Sequence, residues 1–202
     1  PGGSGPFGYF ELNGQLYFFA ETTSDGYALW RTDGSKQGTK RIRSISQDFG
    51  VFPSPINAIN GGRETVVAEI GNTVFFEGFA TENSTDYRSE PTLLFKTDGT
   101  SSGTQIIQDT FLVGGFSSSL SGWNRTSYKV FNQQLYYISF GELHTVVGTQ
   151  SSLVKTLPFD NSGYPTAFTE ASYQGQMVIG ATRELWRSDG TEGGTQNLRT
   201  PS

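Results

Sequence analysis

The chemistry open to this sequence is narrow. It holds one histidine, His144, and no cysteine. Thiolate nucleophiles, thiolate metal sites and disulfides are therefore excluded together. A Ser-His-Asp relay would have to be built on His144, with a poised serine and a carboxylate brought to it by the fold. No Gly-x-Ser-x-Gly elbow offers such a serine. Glycoside hydrolysis needs only two carboxylates, and Glu69, Glu77, Glu142, Glu170 and Glu184 lie on or beside apolar, strand-like phrases. Glu142 and Glu184 recur at one position of a repeat, which argues for a role in each repeat rather than in one asymmetric site. Glu11, Glu69 and Glu170 fall in or near first strands, where a propeller would place them along its axis. No cofactor is expected, apart from calcium on oxygen ligands in such a channel. Gly61-Gly62 and Gly114-Gly115 lack a following helix and a Lys-Ser/Thr partner, so no phosphate cradle is expected.

Composition narrows the partners. The 202 residues include 26 Gly, 8 Pro and 14% aromatics, with only 16% charged residues and a net charge of −5. Nucleic acid is not an expected partner for such a surface. No apolar run approaches the roughly 20 residues of a membrane-spanning helix, so no membrane insertion is expected. Lys40, Arg41 and Arg43 form the one basic cluster and read as a solvated outer strand edge. The ends, residues 1–6 and 200–202, are rich in Pro, Gly, Ser and Thr and read as linkers. They suit a mature product or a segment of something longer.

What must position any of these residues is a repeat. A turn phrase appears as Leu29-Trp30-Arg31-Thr32-Asp33-Gly34-Ser35 with Gly38-Thr39, and as Leu94-Phe95-Lys96-Thr97-Asp98-Gly99-Thr100 with Gly103-Thr104. It returns as Leu185-Trp186-Arg187-Ser188-Asp189-Gly190-Thr191 with Gly194-Thr195. Glu142-Leu143-His144-Thr145 with Gly148-Thr149 is a degenerate copy without the Asp-Gly turn. Each copy follows an apolar phrase such as Gln15–Ala20 or Gln134–Phe140. Every unit reads as four short strands joined by hairpin turns; in the first these are Phe7–Leu12, Gln15–Glu21, Tyr27–Thr32 and Thr39–Ile45. No helical pattern competes.

In Gln15–Ala20 both alternating sets are apolar, Leu16 with Phe18 and Tyr17 with Phe19, so both faces of the sheet need covering. The expected fold is therefore all-β, a single four-bladed β-propeller over residues 1–202, each blade a four-stranded antiparallel sheet. The blades run from about 7–46, 64–110, 127–159 and 167–199. Trp30, Phe95, His144 and Trp186 share one repeat position and are expected to pack between blades, His144 as a packed or hydrogen-bonded histidine. Asp33-Gly34, Asp98-Gly99 and Asp189-Gly190 are expected to be structural turns, the aspartate accepting backbone N–H bonds and the glycine supplying a positive φ. If the ring did not close, blades one and four would expose apolar faces and the chain should associate.

The turn phrase resembles the ELW-x-[ST]-DGT-x-x-GT repeat found in tandem in large extracellular and cell-surface proteins, mostly bacterial. Glu184–Thr191 matches it without a gap, and the four copies extend the likeness over nearly all the chain. The resemblance implies propeller-type blades in secreted proteins and no catalytic residues. In size and blade number the chain also resembles a hemopexin-type four-bladed ring, without that family's motifs.

The expected function is a non-catalytic structural or adhesive module, extracellular or at the cell surface. Its partners would be copies of itself in an array or filament. The alternative is a lectin-like propeller that binds glycans, and a glycosidase stands third. Two sequons, at Asn83 and Asn124, lie in loops and would be glycosylated in a eukaryotic secreted protein.

Overall fold

A computed structural model of the chain describes residues 5–24, 26–53, 66–79, 91–108, 110, 112–113, 126–159 and 166–199. The sequons at Asn83 and Asn124, the insertion 81–90 and the terminal residues 1–4 and 200–202 lie outside the described residues.

Among the described residues the protein is all-β, with four antiparallel sheets, each four strands across and none closed on itself. The chain divides into two compact units, one holding sheets 1 and 2 and the other sheets 3 and 4.

In the first unit, sheet 1 is a meander of β1 (Phe7–Leu12), β2 (Gln15–Thr22), β3 (Gly26–Thr32) and β4 (Lys40–Ser44). Asn13 (φ 53°) and Gly14 (φ 67°) both take the left-handed conformation between β1 and β2, which a two-residue hairpin needs to match the strands' twist. The outer strand ends one residue earlier than the sequence suggests. Ile45–Phe49 instead form a single helical turn, α1, because the Ser44 side chain accepts from Gln47 N–H and Gly50 closes the other end at φ 66°. Periodicity does not reveal this turn, since five residues are too few to show one. Sheet 2 comprises β6 (Val66–Ile70), β7 (Thr73–Phe79), β8 (Pro91–Thr97) and β9 (Gln105–Ile106), with the two-residue β5 (Phe52–Pro53) continuing the β6 edge along β7. A further two-residue strand, β10 (Leu112–Val113), belongs by its residues to the second unit.

In the second unit, sheet 3 runs β11 (Ser127–Phe131), β12 (Gln134–Ser139), β13 (Glu142–Val147) and β14 (Gln150–Thr156). Sheet 4 runs β15 (Ala167–Tyr173), β16 (Gln176–Ala181), β17 (Glu184–Ser188) and β18 (Gln196–Arg199).

Register is repeated as well as topology. Phe18 pairs with Trp30, Phe76 with Phe95, Tyr137 with His144 and Ile179 with Trp186. The outer strand bulges at one place in three sheets, opposite Leu29/Trp30, Leu143/His144 and Leu185/Trp186.

Because side chains alternate across a strand, each sheet has a front face carrying Leu16, Phe18 and Trp30 or their counterparts. Its back face carries Tyr17, Phe19 and Leu29 or theirs. Within the first unit, back-face Phe7, Phe10, Tyr17, Phe19 and Leu29 of sheet 1 pack on front-face Val74, Phe76 and Phe95 of sheet 2. Phe19 and Phe76 lie 4.9 Å apart, and Phe76 stacks on Phe95 at 5.1 Å. The second unit repeats the arrangement: Tyr136, Ile138, Leu143 and Val154 of sheet 3 meet Met177, Ile179 and Ala181 of sheet 4. Each fully buried Phe, Leu, Ile, Val or Met among them contributes about 1.5–3 kcal/mol.

Candidate functional site

The Asp-Gly turns are three copies of one object. Asp33 Oδ1 accepts from Ser35 N–H at 2.9 Å and Ser35 O–H at 2.7 Å. Asp98 accepts the same two bonds from Thr100, and Asp189 from Thr191, at the same lengths. The hydroxyl at the third position then accepts from the backbone N–H of Gly38, Gly103 or Gly194 at 2.9–3.0 Å. These glycines cannot be replaced without movement, since a Cβ on any of them would stand 1.9 Å from the aspartate Oδ1. The hydroxyl before each aspartate bonds the threonine that closes the loop, as Thr32 to Thr39, Thr97 to Thr104 and Ser188 to Thr195, at 2.7–2.8 Å. Hydrogen bonds from the residue two positions on, side chain first and backbone second, hold all three carboxyls below the ordinary aspartate value.

The turn glycines also receive the neighbouring sheet. Gly99 (φ 84°) lies against the Tyr17 hydroxyl and Gly190 (φ 94°) against that of Tyr136, so close that a Cβ would stand 2.3 and 2.1 Å from those oxygens. Gly34 (φ 90°) has nothing within 4 Å of the corresponding point. Tyr17 and Tyr136 escape a motif search centred on the turn, but a signal was present: both follow Gln-Leu at the start of their strands.

Arg43, expected on a solvated edge, is instead a clamp. Its Nη1 donates to the carbonyls of Ser101 and Thr104 in the sheet 2 turn at 2.7 and 2.6 Å, and its Nε donates to Asp48 at 2.8 Å. The guanidinium lies over Phe49, 4.6 Å from the ring centre. Outward alternation along a strand does not reveal this, because the partners are backbone carbonyls of another sheet.

The four residues of the shared slot differ in surroundings. Phe95 is fully buried, while Trp30, His144 and Trp186 are half-buried. Trp186 Nε1–H donates to Glu184 Oε2 at 2.9 Å, and Asn197 donates to the same oxygen at 2.8 Å. In sheet 1, Ala28 stands where sheets 3 and 4 carry glutamate, and Trp30 Nε1 has no acceptor among the described residues.

His144 is stacked on Tyr137, with ring centres 4.9 Å apart and planes 5° from parallel. Its Nε2 lies 3.2 Å from Glu142 Oε2 and its Nδ1 lies 3.2 Å from Ser151 Oγ, which in turn bonds the Tyr137 hydroxyl. A neutral imidazole satisfies the whole chain: Tyr137 donates to Ser151, Ser151 to Nδ1, and Nε2–H to the carboxylate. A serine and a carboxylate thus do meet His144, from its own sheet and not from across a ring. For acyl transfer the serine would also need donors for a developing oxyanion. The Ser151 N–H is already committed to Gln108 O at 3.1 Å. Glu142 with His144 is moreover the positional equivalent of Glu184 with Trp186, whose indole cannot act as a base.

Among the remaining carboxylates, Glu11 and Glu69 are exposed and Glu77 is buried on β7. Among the described residues no three acidic or histidine side chains converge as a metal site would require.

No protein-family model matches the chain, and no curated protein matches it. Among solved structures it is similar to a luciferin-regenerating enzyme at 11% identity and a TM-score of 0.44, over 96% of this chain. The chain spans 61% of the length of that protein.

Proposed function

We propose that this chain is a non-catalytic structural or adhesive module, extracellular or at the cell surface, whose sheets are propeller-type blades and which works as a bead or subunit of an array. One observation carries the reading. The docking that joins sheet 1 to sheet 2 recurs between sheets 3 and 4, tyrosine hydroxyl on turn glycine and back face on front face. The motif that repeats is thereby used up in joining blades: its aspartates accept bonds within their own turns, and its glycines seat a neighbour. This is the economy of repeat proteins, in which each unit buries its apolar face only against the next. It also agrees with the extracellular tandem repeat that the turn phrase resembles.

The carbohydrate-binding alternative needs open aromatics at the repeated position. Phe95 is fully buried, and Trp186 is tied to Glu184, so that alternative ranks second. Negative-stain electron microscopy of the chain tests the reading. Beads in strings or filaments are expected; dispersed single particles that bind an immobilised glycan array would replace it with the lectin.

A further inference from the structure

Two sheet faces break the pattern of burial. Leu16, on the front of sheet 1, is 43% exposed, whereas its counterparts Val74, Leu135 and Met177 are at most 1% exposed. Leu185, on the back of sheet 4, is 43% exposed, whereas Leu29, Leu94 and Leu143 are fully buried. Leu198, at the bulge of the outer strand, is likewise open where Val154 is buried. Beside Leu16 stand Tyr9, half-buried Phe18 and half-buried Trp30, in contact as a ring cluster: Tyr9 with Phe18 at 6.1 Å and Phe18 with Trp30 at 6.5 Å. Among the described residues, apolar side chains therefore lie open on the front of sheet 1 and on the back of sheet 4.

We infer that these two faces dock on each other between two copies of this chain, head to tail, in the manner that joins sheet 1 to sheet 2 and sheet 3 to sheet 4. The inference rests on the array reading above and names its contact. Four features make the faces a matched pair. First, the type is right: both internal junctions join a back face to a front face, and of the four faces these junctions leave over, the two that carry open leucines are one of each. Second, sizes complement. Phe19 of sheet 1 meets Phe76 of sheet 2, and the residue at the Phe19 position in sheet 4 is Gly180, which has nothing within 4 Å of a Cβ. Phe18, the counterpart of Phe76, would enter there. Third, the outer strand of sheet 4 bulges opposite Leu185/Trp186 as it does opposite Leu29/Trp30 and Leu143/His144 in the two sheets whose back faces form the internal junctions. Fourth, the turn of sheet 1 is open where its counterparts are covered: Thr32 and Thr39 are half-buried, but Thr97, Thr104, Ser188 and Thr195 are buried.

One element is weaker than within the chain. Sheet 4 carries Val178 where Tyr17 and Tyr136 stand, so no hydroxyl reaches Gly34. The contact is therefore looser than the internal ones, and assembly should depend on concentration. A heterologous contact of this kind grows without closing unless its rotation completes a ring.

Sedimentation velocity of the full chain and three variants tests it. The parent should form oligomers that grow with concentration. Leu16→Arg and Leu185→Arg change exposed positions, each removing one face, and each should be monomeric alone. Mixed in equal amounts they keep one intact pair of faces and should stop at a one-to-one dimer. Val178→Tyr should tighten assembly about tenfold, by supplying the ring and hydroxyl that seat on the turn glycine at both internal junctions. Filaments that survive both arginine variants would overturn this contact and leave the array reading standing. A monomeric parent would overturn both, and hydroxyl-radical labelling of Leu16 and Leu185 would give the reason: protection means that the two faces meet within a single chain, labelling that they stay open.

Discussion

Sheets 3 and 4 hold the same position with different chemistry. A glutamate two residues before a ring nitrogen bonds that nitrogen in both, yet the ring is the imidazole of His144 in one and the indole of Trp186 in the other. The turn that follows differs more. In sheet 4 the loop 189–195 is the Asp-Gly object, and β18 that follows it has four residues. In sheet 3 the aspartate is missing, the strands join at Gly148-Thr149 with Gly148 at φ 64°, and β14 reaches seven residues. The longer edge takes up Gln108 in parallel, through Gln108 N–H to Thr149 O at 2.8 Å and Ser151 N–H to Gln108 O at 3.1 Å. The comparison separates what all four sheets share, the register, from what only some carry: the Asp-Gly turn in sheets 1, 2 and 4, the glutamate–ring pair in sheets 3 and 4, and the polar chain ending at Tyr137 in sheet 3. Loss of the turn aspartate leaves the sheet intact because strand pairing replaces the turn bonds.

The sharpest way to break this picture is through the turn glycines. Gly190→Ala and Gly99→Ala should each cost about 3 kcal/mol, the left-handed backbone adding roughly 1–2 and the displaced tyrosine the rest. Gly34→Ala, with the same backbone and no tyrosine, should cost only about 1 kcal/mol. Urea unfolding measures all three, and equal losses would mean that the tyrosine seats contribute nothing.

A smaller effect is expected at the shared slot. His144→Ala removes the stack on Tyr137 and leaves Ser151 and Glu142 without their nitrogen partners, a loss of about 2 kcal/mol. His144→Trp restores the ring of sheet 4 and should recover at least half of that by the same measurement. If tryptophan is no better than alanine, the slot in sheet 3 is specialised and its likeness to sheet 4 is only positional.

The smallest effect separates sheet 3 from the others by pH. A carboxyl held below its ordinary value binds fewer protons folded than unfolded, so its contribution is complete above the unfolded value and fades as pH falls toward the folded one. Stability should therefore decline from about pH 5 downward. Replacing Asp33, Asp98 and Asp189 together by Asn should flatten that decline, read as the urea midpoint against pH. Because all three carboxyls are largely exposed, solvent screening keeps the change small. An unchanged slope would place the acid sensitivity elsewhere.

Some of this architecture is legible in residue order. The hairpin at Asn13-Gly14, the three Asp-Gly turns and the four-strand units are local, because a positive φ and a bond two residues away depend on nearby residues alone. Apolar residues at every position of Gln15–Ala20 also announce that both faces of a sheet seek cover. Single letters mislead where one residue has two environments available. Arg43 reads as solvated but clamps a neighbouring turn, and His144 reads as packed or hydrogen-bonded without any sign of which serine and glutamate it bonds. Sequence by itself determined the repeat, its turns and its alternation, all set by interactions within a few residues. Only the tertiary structure decided which tyrosine seats on which glycine, and that Leu16 and Leu185 stay open while their counterparts are buried. The same phrase can pack or face water, and the choice belongs to whatever stands opposite it across the sheet face.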